Sequence, residues 1–310
     1  MSAIQPISLT LSNTDFEAFA KALGDSFGRY GFAVVADHGL DQARLDAAMD
    51  DAKAFFALPE EAKRKYHLAG AAGHRGYTPF AVETAKGAIH ADLKEFWHLG
   101  GEPPAGRAPR EGMVDNVWPS ETPRFRESQS WLYEALEALG GKLLAAIAVY
   151  LDLDLDYFED ATAKGDNLLR LLHYPPSGFD GPSIRAAAHE DIDAITLLLG
   201  AEEAGLELLD KSGRWLAIDP PPGSVVVNVG DMLARLTNDV LPSTTHRVVN
   251  PSPERRGVAR YSTPFFLQFR PEFLIETLPS CVRADRPNRY LTPITAGEFL
   301  LQRLREIGLA

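Results

Sequence analysis

Apolar residues recur at helical spacing near the start of the chain. Steps of three and four separate the apolar positions of this segment: Phe16, Phe19, Leu23, Phe27 and Tyr30. This periodicity predicts an amphipathic helix. Residues 12–14 offer possible N-terminal caps, and Gly31 ends the pattern. A short strand over residues 32–36 is predicted to follow.

Three further helices are predicted from the same periodicity. The second helix covers the segment around residues 45–56 and stops at Pro59. A long helix is predicted between Pro123 and Tyr150, and the final helix runs from Ala296 to Ile307. The apolar face of the long helix is made of Phe125, Leu132, Leu136, Leu139 and Leu143. Between the second helix and the long one, residues 68–112 are rich in Gly, Ala and Pro, which predicts loops with short strands.

The pattern changes after about residue 166. Short β-branched or Leu-rich runs alternate there with Pro and Gly: NLLRLLHY, AITLLLG, GLELLD, WLAI, SVVVNVG, THRVV and RYSTPFFLQF. Strands at this spacing are typical of an antiparallel sandwich or barrel. The predicted fold class is therefore mainly β with flanking helices, in which a helical N-terminal portion packs on a β core.

Composition narrows the classes of function. The 310 residues carry a formal net charge of −12, which argues against nucleic acid or an anionic membrane as the main partner. The longest apolar stretch, Leu143 to Leu151, is too short to span a bilayer, and no signal peptide is visible. The single cysteine, Cys281, excludes an internal disulfide and fits a reducing compartment. We expect a cytoplasmic protein with no obligate protein partner.

His189 and Asp191 stand two residues apart before a strand-like run. In an extended chain, residues i and i+2 face the same side, so both side chains could reach one ion. His246, which opens a later β run, is the best third ligand. Two histidines and one carboxylate with open positions are typical of non-haem Fe(II) oxygenases. Zinc hydrolases use the same ligand types, and two structural histidines would need no metal, so these residues alone leave the metal open.

Arg260 and Ser262 form a second pair at i and i+2, on a strand that the following Pro-Phe-Phe marks as buried. A guanidinium beside a hydroxyl is well suited to bind a carboxylate in a dry cavity, and a buried arginine needs an anion. Tyr174, at the end of another predicted strand, offers a phenol to the same pocket. An arginine on a sheet surface and a tyrosine with its hydroxyl in water are the alternatives.

Together these segments resemble the isopenicillin N synthase-like family of 2-oxoglutarate/Fe(II)-dependent dioxygenases. The similar segments cover nearly the whole chain in this order: GRYGFAVVADHGL, AFFALPEEAKRKY, GYTPF, DLKEFW, LRLLHYPP, AAHEDIDAITLLLG, WLAIDPPPGSVVVNVGDMLARLTNDVLPSTTHRVVNP, RYSTPFF and YLTPITAGEFLLQRL. The resemblance implies a distorted jelly-roll core. It also implies an N-terminal region over residues 1–120 and a region over 121–310 with the long helix, the core and the C-terminal helix, in one compact unit.

The resemblance also implies roles for the candidate residues. His189, Asp191 and His246 would bind Fe(II), while Arg260 and Ser262 would bind the distal carboxylate of 2-oxoglutarate, with Tyr174 as a further contact. Dioxygen would then oxidise a small organic substrate with release of succinate and CO2. The chain departs from many family members at two positions. Glu190 stands between the two ligands and should face away from the iron, and Leu172 replaces a polar residue two positions before Tyr174.

Three other functions stay open. An oxidase or cyclase of the same fold would need no 2-oxoglutarate, and isopenicillin N synthase, which is of that kind, also carries an Arg-x-Ser pair. A non-catalytic member would keep the fold without turnover, although all the motif residues are present here. A zinc hydrolase would need a general base, for which only Glu190 is close in sequence.

The substrate is not identified by the sequence. The N-terminal region and the C-terminal helix usually wall the substrate side in this family, and the aromatic candidates there are Tyr77, Phe80, Trp97, His98 and Phe266. Phe266 has the strongest claim because it continues the strand face of Arg260 and Ser262.

Overall fold

The helices and strands are those of a computed structural model, which describes residues 4–68, 74–83, 91–102, 114–163, 165–176, 184–199 and 205–306. The helices are α1 (Phe16–Tyr30), α2 (Gln42–Phe56), α3 (Glu60–Arg64), α4 (Phe125–Tyr150), α5 (Tyr157–Thr162), α6 (Asp231–Leu236) and α7 (Ala296–Glu306). The strands are β1 (Pro6–Ser8), β2 (Phe32–Ala36), β3 (Gly76–Thr78), β4 (Glu95–Gly100), β5 (Leu168–Tyr174), β6 (Ala186–His189), β7 (Ile195–Leu199), β8 (Leu206–Leu209), β9 (Trp215–Ala217), β10 (Val225–Val229), β11 (His246–Val248), β12 (Arg260–Leu267), β13 (Leu274–Ile275) and β14 (Ile294–Thr295).

The ends of α1 show how the local sequence sets a helix boundary. Asp15 caps the N-terminus because its carboxylate accepts the backbone N–H of Ala18. The predicted caps at residues 12–14 were therefore wrong, since residues 9–13 form a 3-10 turn instead. The C-terminal stop at Gly31 is confirmed. Its φ is 69°, and a Cβ there would lie 2.2 Å from Oγ1 of Thr244, so only glycine fits.

The long helix α4 buries the apolar face that its sequence predicts. Phe125, Leu132, Leu136, Leu139 and Leu143 are all buried. Helix α7 begins at Ala296 as predicted and buries Phe299, whereas Ile307 lies outside the described residues. No helix within the described ranges is long and apolar enough to cross a membrane.

Two sheets form the β core. The larger has eight strands in the order β1-β2-β10-β7-β12-β5-β4-β3, and every neighbouring pair except β1 and β2 is antiparallel. The smaller has four strands in the order β6-β11-β8-β9. This is the predicted arrangement of a mainly β jelly roll with flanking helices. The N-terminal region does more than pack on this core, because β1 to β4 are strands of the large sheet itself.

The large sheet separates two hydrophobic clusters. Successive residues of a strand face opposite sides, so on β2 the side chains of Ala33 and Val35 join the core under the helices. Phe32 and Val34 turn to the other side, where they pack with residues of the small sheet such as Leu206 and Leu208. The second side also holds the polar residues of the candidate site.

Candidate metal centre

Three predicted ligands come together at one end of the small sheet. His189 is the last residue of β6, and His246 is the first of β11, directly opposite it in the ladder. Asp191 follows in the turn after β6. One ligand atom from each of the three residues lies within 4.8 Å of the others. The Nε2 atoms of His189 and His246 lie 3.7 Å and 3.8 Å from the Asp191 carboxylate oxygens.

Both imidazoles are oriented by backbone carbonyls. Nδ1 of His189 lies 2.7 Å from the carbonyl oxygen of Ala187, and Nδ1 of His246 lies 3.1 Å from that of Thr244. A carbonyl can only accept, so each Nδ1 carries the hydrogen and each Nε2 keeps a lone pair. Histidine ligands of metals are held in this way. The donor set of two imidazole nitrogens and one carboxylate therefore fits a divalent iron ion.

The electrostatics of the site favour the protonation states in which His189 and Asp191 can bind a metal. Although the His189 side chain is 36% exposed, the surrounding protein displaces enough water to lower its pKa to about 4, with a further contribution from His246. Burial alone would raise the pKa of Asp191. The two histidines, Thr196 and Asn228 outweigh that effect and hold the pKa of Asp191 below its usual value. A neutral imidazole and an ionised carboxylate are the forms that bind metals.

Asp191 is held by side chains from two neighbouring strands. Its Oδ2 accepts a hydrogen bond of 2.6 Å from the Thr196 hydroxyl on β7 and one of 2.8 Å from the Asn228 amide on β10. The Thr196 hydroxyl also lies 2.7 Å from Asp193. Since a hydroxyl has one hydrogen, the second contact needs a proton on Asp193. Burial and the charge of Asp191 raise the pKa of Asp193 well above its usual value, which supplies that proton.

The predicted carboxylate-binding residues lie on adjacent strands of the large sheet. Arg260 and Tyr174 are opposite each other in the β12–β5 ladder, and the guanidinium carbon lies 5.1 Å from the centre of the Tyr174 ring. The Arg260 guanidinium donates a hydrogen bond of 2.9 Å to the Ser262 hydroxyl. Arg260 is 1% exposed, so its charge favours binding of an anion inside the protein.

A cavity with an empty volume of about 560 Å³ joins the two groups. The triad, Arg260, Ser262, Tyr174 and Phe266 all line it. Its walls come from both sheets, since β5, β7, β10 and β12 form one side and β6, β8 and β11 the other.

Two family models match the chain. Residues 4–121 match the N-terminal domain described as "non-haem dioxygenase in morphine synthesis", and residues 165–269 match the 2OG-Fe(II) oxygenase superfamily. The chain is 35% identical over 281 residues to the 2-oxoglutarate-Fe(II) type oxidoreductase hxnY of Emericella nidulans, covering 87% of this chain and 79% of the relative. The chain belongs to the 2OG-Fe(II) oxygenase superfamily.

Solved structures agree with this assignment. A 2OG-Fe(II) oxygenase family protein from Caulobacter crescentus superimposes with a TM-score of 0.93 at 60% identity, over 99% of this chain and 100% of that one. A full-length Neurospora crassa protein, in complex with alpha-KG (2-oxoglutarate) and thymine, gives 0.86 at 28% identity over 97% and 96% of the two chains. The protein is thus a non-haem oxygenase whose cofactors are Fe(II) and 2-oxoglutarate.

Not every predicted substrate residue of this oxygenase reaches the cavity. Tyr77 packs its ring 5.8 Å from that of Phe55, and its hydroxyl donates to Glu95 and lies 3.1 Å from a Glu60 carboxylate oxygen. Tyr77 pairs with Trp97 in the β3–β4 ladder, and both face the core under the helices. Phe80 is 38% exposed and does not line the cavity. Of the five aromatic candidates named from the sequence, only Phe266 lines the cavity.

Glu190 is turned to a different side of the chain from the cavity. Its carboxylate accepts a hydrogen bond of 2.9 Å from Thr245 and lies 3.9 Å from the guanidinium of Arg303 on α7. This orientation agrees with the strand-face argument, and it removes the general base that a zinc hydrolase would need from this position.

Four polar residues of this oxygenase's cavity were not expected from the sequence: Thr196, Asn228, Lys94 and Arg170. Thr196 could have been predicted as a cavity residue from the sequence. It is close in sequence to the ligands, and it lies on the same strand face as Leu198. Asn228 stood out as the one polar residue of the VVVNV run. Lys94 and Arg170 gave no such signal, since only the folded sheet brings them near the triad.

Proposed function

We propose that His189, Asp191 and His246 are the Fe(II) ligands of this oxygenase, and that Arg260 and Ser262 bind the distal carboxylate of 2-oxoglutarate beside Tyr174. The observation that carries the proposal is that both groups line one cavity, with the three ligand atoms within 4.8 Å of one another. A dicarboxylate held at Arg260 would extend towards the triad across the same cavity wall.

The residues of the chain itself position the metal ligands and exclude water from the cavity. Bound iron supplies the centre at which dioxygen and 2-oxoglutarate react, with succinate and CO2 as the products of the cosubstrate. Ala187 and Thr244 orient the two imidazoles, and Thr196 and Asn228 hold one oxygen of Asp191, so that its other oxygen is available to the metal. Phe266 and Leu172 supply apolar surface to the wall on which a substrate would lie.

We further propose a small-molecule substrate. The cavity is lined mainly by apolar surface with convergent polar groups, which is typical of small-molecule sites, and the net charge of −12 disfavours nucleic acid. The Neurospora crassa protein is described in complex with thymine, which shows what a relative of this fold accommodates. A division at residue 120 within one compact unit and a cytoplasmic location remain predictions, the latter supported by the single cysteine.

The test is a paired measurement of oxygen consumption and succinate release, with Fe(II) supplied and a library of small metabolites as candidate substrates. The expected result is substrate-stimulated oxygen uptake matched by an equal amount of succinate. Oxygen uptake that proceeds without 2-oxoglutarate would instead identify an oxidase or cyclase of the same fold. If the whole library stimulates neither quantity, and uncoupled succinate release is also missing, the proposal of turnover at this site is contradicted.

A further inference from the structure

The cavity has a second cationic wall besides Arg260. Arg170 on β5 and Lys94 before β4 both line it. The Arg170 guanidinium carbon lies 4.4 Å from the centre of the Phe96 ring and 5.5 Å from that of Phe266. Arg170 therefore lies against two aromatic rings, of which Phe266 lines the cavity, and the roles proposed for the other cavity residues leave Arg170 and Lys94 without a function.

The register of the sheet separates Arg170 from the 2-oxoglutarate end. The backbone of Lys94 is nearer to Tyr174, because Lys94 directly precedes Glu95, which is opposite His173. Arg260 lies opposite Tyr174 in the β12–β5 ladder, and Arg170 is four residues before Tyr174, which is roughly 13 Å along a strand. At the other end, Phe266 is opposite Thr196, whose hydroxyl contacts Asp191. Arg170 is thus beside the metal end of the cavity. The distal carboxylate of a diacid held at Arg260 is thus bound at the opposite end of the cavity from Arg170.

Acidic neighbours keep the basic side chains of this wall in their protonated forms. The Lys94 ammonium lies 2.8 Å from Glu83 and 2.8 Å from Asp92, and both terminal nitrogens of Arg170 lie 3.3 Å from Glu83. Burial lowers the pKa of Lys94, but Glu83 and Asp92 outweigh it and raise the pKa overall. Burial likewise works to raise the pKa of Glu83, and the two cations instead hold that pKa far below its usual value.

The same neighbours engage only part of the hydrogen-bond donors of Arg170 and Lys94 among the described contacts. The Arg170 Nε donates to His98 and its terminal nitrogens to Glu83, which uses three of the five N–H groups of a guanidinium. Lys94 uses two of its three on Glu83 and Asp92. The oxygens of Glu83 and Asp92 are already engaged, Asp92 also by the backbone N–H of Ala187. Among the described contacts, this wall consequently presents more donors than acceptors to a bound molecule.

We propose that the substrate carries a carboxylate, which Arg170 and Lys94 bind, and an apolar body that lies against Phe266. The inference rests on the function proposed above, because it assigns the substrate end of the same cavity. A guanidinium and an ammonium together favour a carboxylate over a neutral amide of the same shape, since only the carboxylate adds an ion–ion attraction to the hydrogen bonds that both ligands can accept.

The experiment compares matched acids and amides on the anaerobic holoenzyme, loaded with Fe(II) and saturated with 2-oxoglutarate so that the Arg260 end is filled. The probes are benzoate and benzamide, phenylacetate and phenylacetamide, cyclohexanecarboxylate and its carboxamide, and hexanoate and hexanamide. Dissociation constants are measured by ligand-observed NMR and calorimetry. At least one acid is expected to bind roughly tenfold or more tightly than its amide.

Two substitutions are expected to act in opposite directions. Arg170→Gln is expected to lower the binding affinity for the acid by roughly tenfold or more and to leave the affinity for its amide within about twofold of the wild-type value. Glu83→Gln removes a negative charge that lies beside the two cations, so the binding affinity for the acid is expected to rise severalfold. The matched control is Arg214→Gln, on an exposed hairpin with 76% of its side chain accessible, which changes neither. The affinity for 2-oxoglutarate and the melting temperature of each variant serve as checks that the fold and the Arg260 end are intact.

Three results overturn the inference: no acid in the panel binds, acids and amides bind equally, or Glu83→Gln and Arg170→Gln weaken the acid alike. A wild-type protein that fails to bind Fe(II) and 2-oxoglutarate contradicts the proposed function instead. If Fe(II) and 2-oxoglutarate both bind and the protein does not prefer acids to amides, only the substrate assignment is contradicted.

Discussion

The two faces of the large sheet use the same strands for different purposes. On β12, Phe265 and Leu267 turn towards the helices and are 0% and 2% exposed, in a cluster of purely apolar contacts. Arg260, Ser262 and Phe266 alternate with them and turn to the cavity. One strand therefore contributes in turn to a dry core and to a polar site.

The difference lies in what each face needs from its neighbours. Apolar burial under the helices is favourable by itself and tolerates repacking. A buried guanidinium or carboxylate on the cavity face costs free energy unless each polar atom has a partner, which is why Asp191, Thr196 and Asn228 form a connected set. Stability should depend mainly on the helical face and activity on the cavity face, and substitutions can separate the two.

The largest effect is expected from removing a metal ligand. His189→Ala should lower succinate formation by roughly three orders of magnitude or more, because the loss leaves two ligands for the iron. The melting temperature of the metal-free protein should stay nearly unchanged, since His189 is partly exposed. The measurements are iron content, succinate release and thermal unfolding.

The matched control for this prediction is Glu190→Gln, one residue along the chain with its side chain on Thr245 and near Arg303. Its iron content and turnover should stay within about twofold of the wild type. Full turnover in His189→Ala, or a comparable loss in Glu190→Gln, would remove the basis of the triad assignment.

Next in size is a substitution on the helical face. Leu143 in α4 is 0% exposed, and Leu143→Ala should lower the free energy of unfolding by about 2–5 kcal/mol through lost burial and the cavity left behind. Turnover by the folded protein should be unaffected at a temperature where it remains folded. Chemical denaturation measures the first quantity and an initial-rate assay the second. Lys142→Ala, exposed on the same helix, should change stability by less than about 0.5 kcal/mol.

Arg260→Lys keeps the charge of the cavity face but loses the planar fork. We expect the KM for 2-oxoglutarate to rise roughly 10- to 100-fold, because a single ammonium cannot reproduce a bidentate contact. Arg270→Lys, which exchanges an arginine paired with Asp160 outside the cavity, is the control and should leave KM unchanged. An unaltered KM in Arg260→Lys would mean that the cosubstrate binds elsewhere.

The smallest effect concerns the support of Asp191. Thr196→Val keeps the shape and removes the hydroxyl, so the affinity for Fe(II) should fall about tenfold. The free energy of unfolding should fall by about 1–3 kcal/mol, because buried Asp191 and Asp193 lose a hydrogen-bond partner. Thr263→Val is the matched control, because Thr263 is buried on β12 and bonds only to the Leu199 carbonyl among the contacts described for its hydroxyl. Equal iron affinities in the two variants would show that the Thr196 hydroxyl does not position the ligand.

The local sequence pattern was enough to predict which residues of a strand lie on the cavity face. Strand alternation correctly grouped Arg260, Ser262 and Phe266 on one face, and the i, i+2 spacing brought His189 and Asp191 to one point. These inferences needed only the geometry of a single extended segment. The N-terminal cap of α1 was predicted too early because three polar residues precede Asp15, and they form a turn of their own.

Contacts between distant segments of the chain could not be predicted from the sequence. Lys94 and Arg170 reach the cavity only because β4 pairs with β5 in the folded sheet, and nothing in their local sequence distinguishes them from surface cations. Tyr77 was expected near the substrate, yet its place opposite Trp97 turns it to the helical face. The face of a short strand such as β3 depends on its partner's register, which sequence periodicity does not specify.

The most direct test of the central claim is an anaerobic titration of the metal-free protein with Fe(II) and then with 2-oxoglutarate, followed by visible absorption. The account predicts a weak charge-transfer band that saturates at one iron and one 2-oxoglutarate per chain and does not form in His189→Ala. A band that fails to form in the wild type, or that forms equally in the His189→Ala protein, would contradict it.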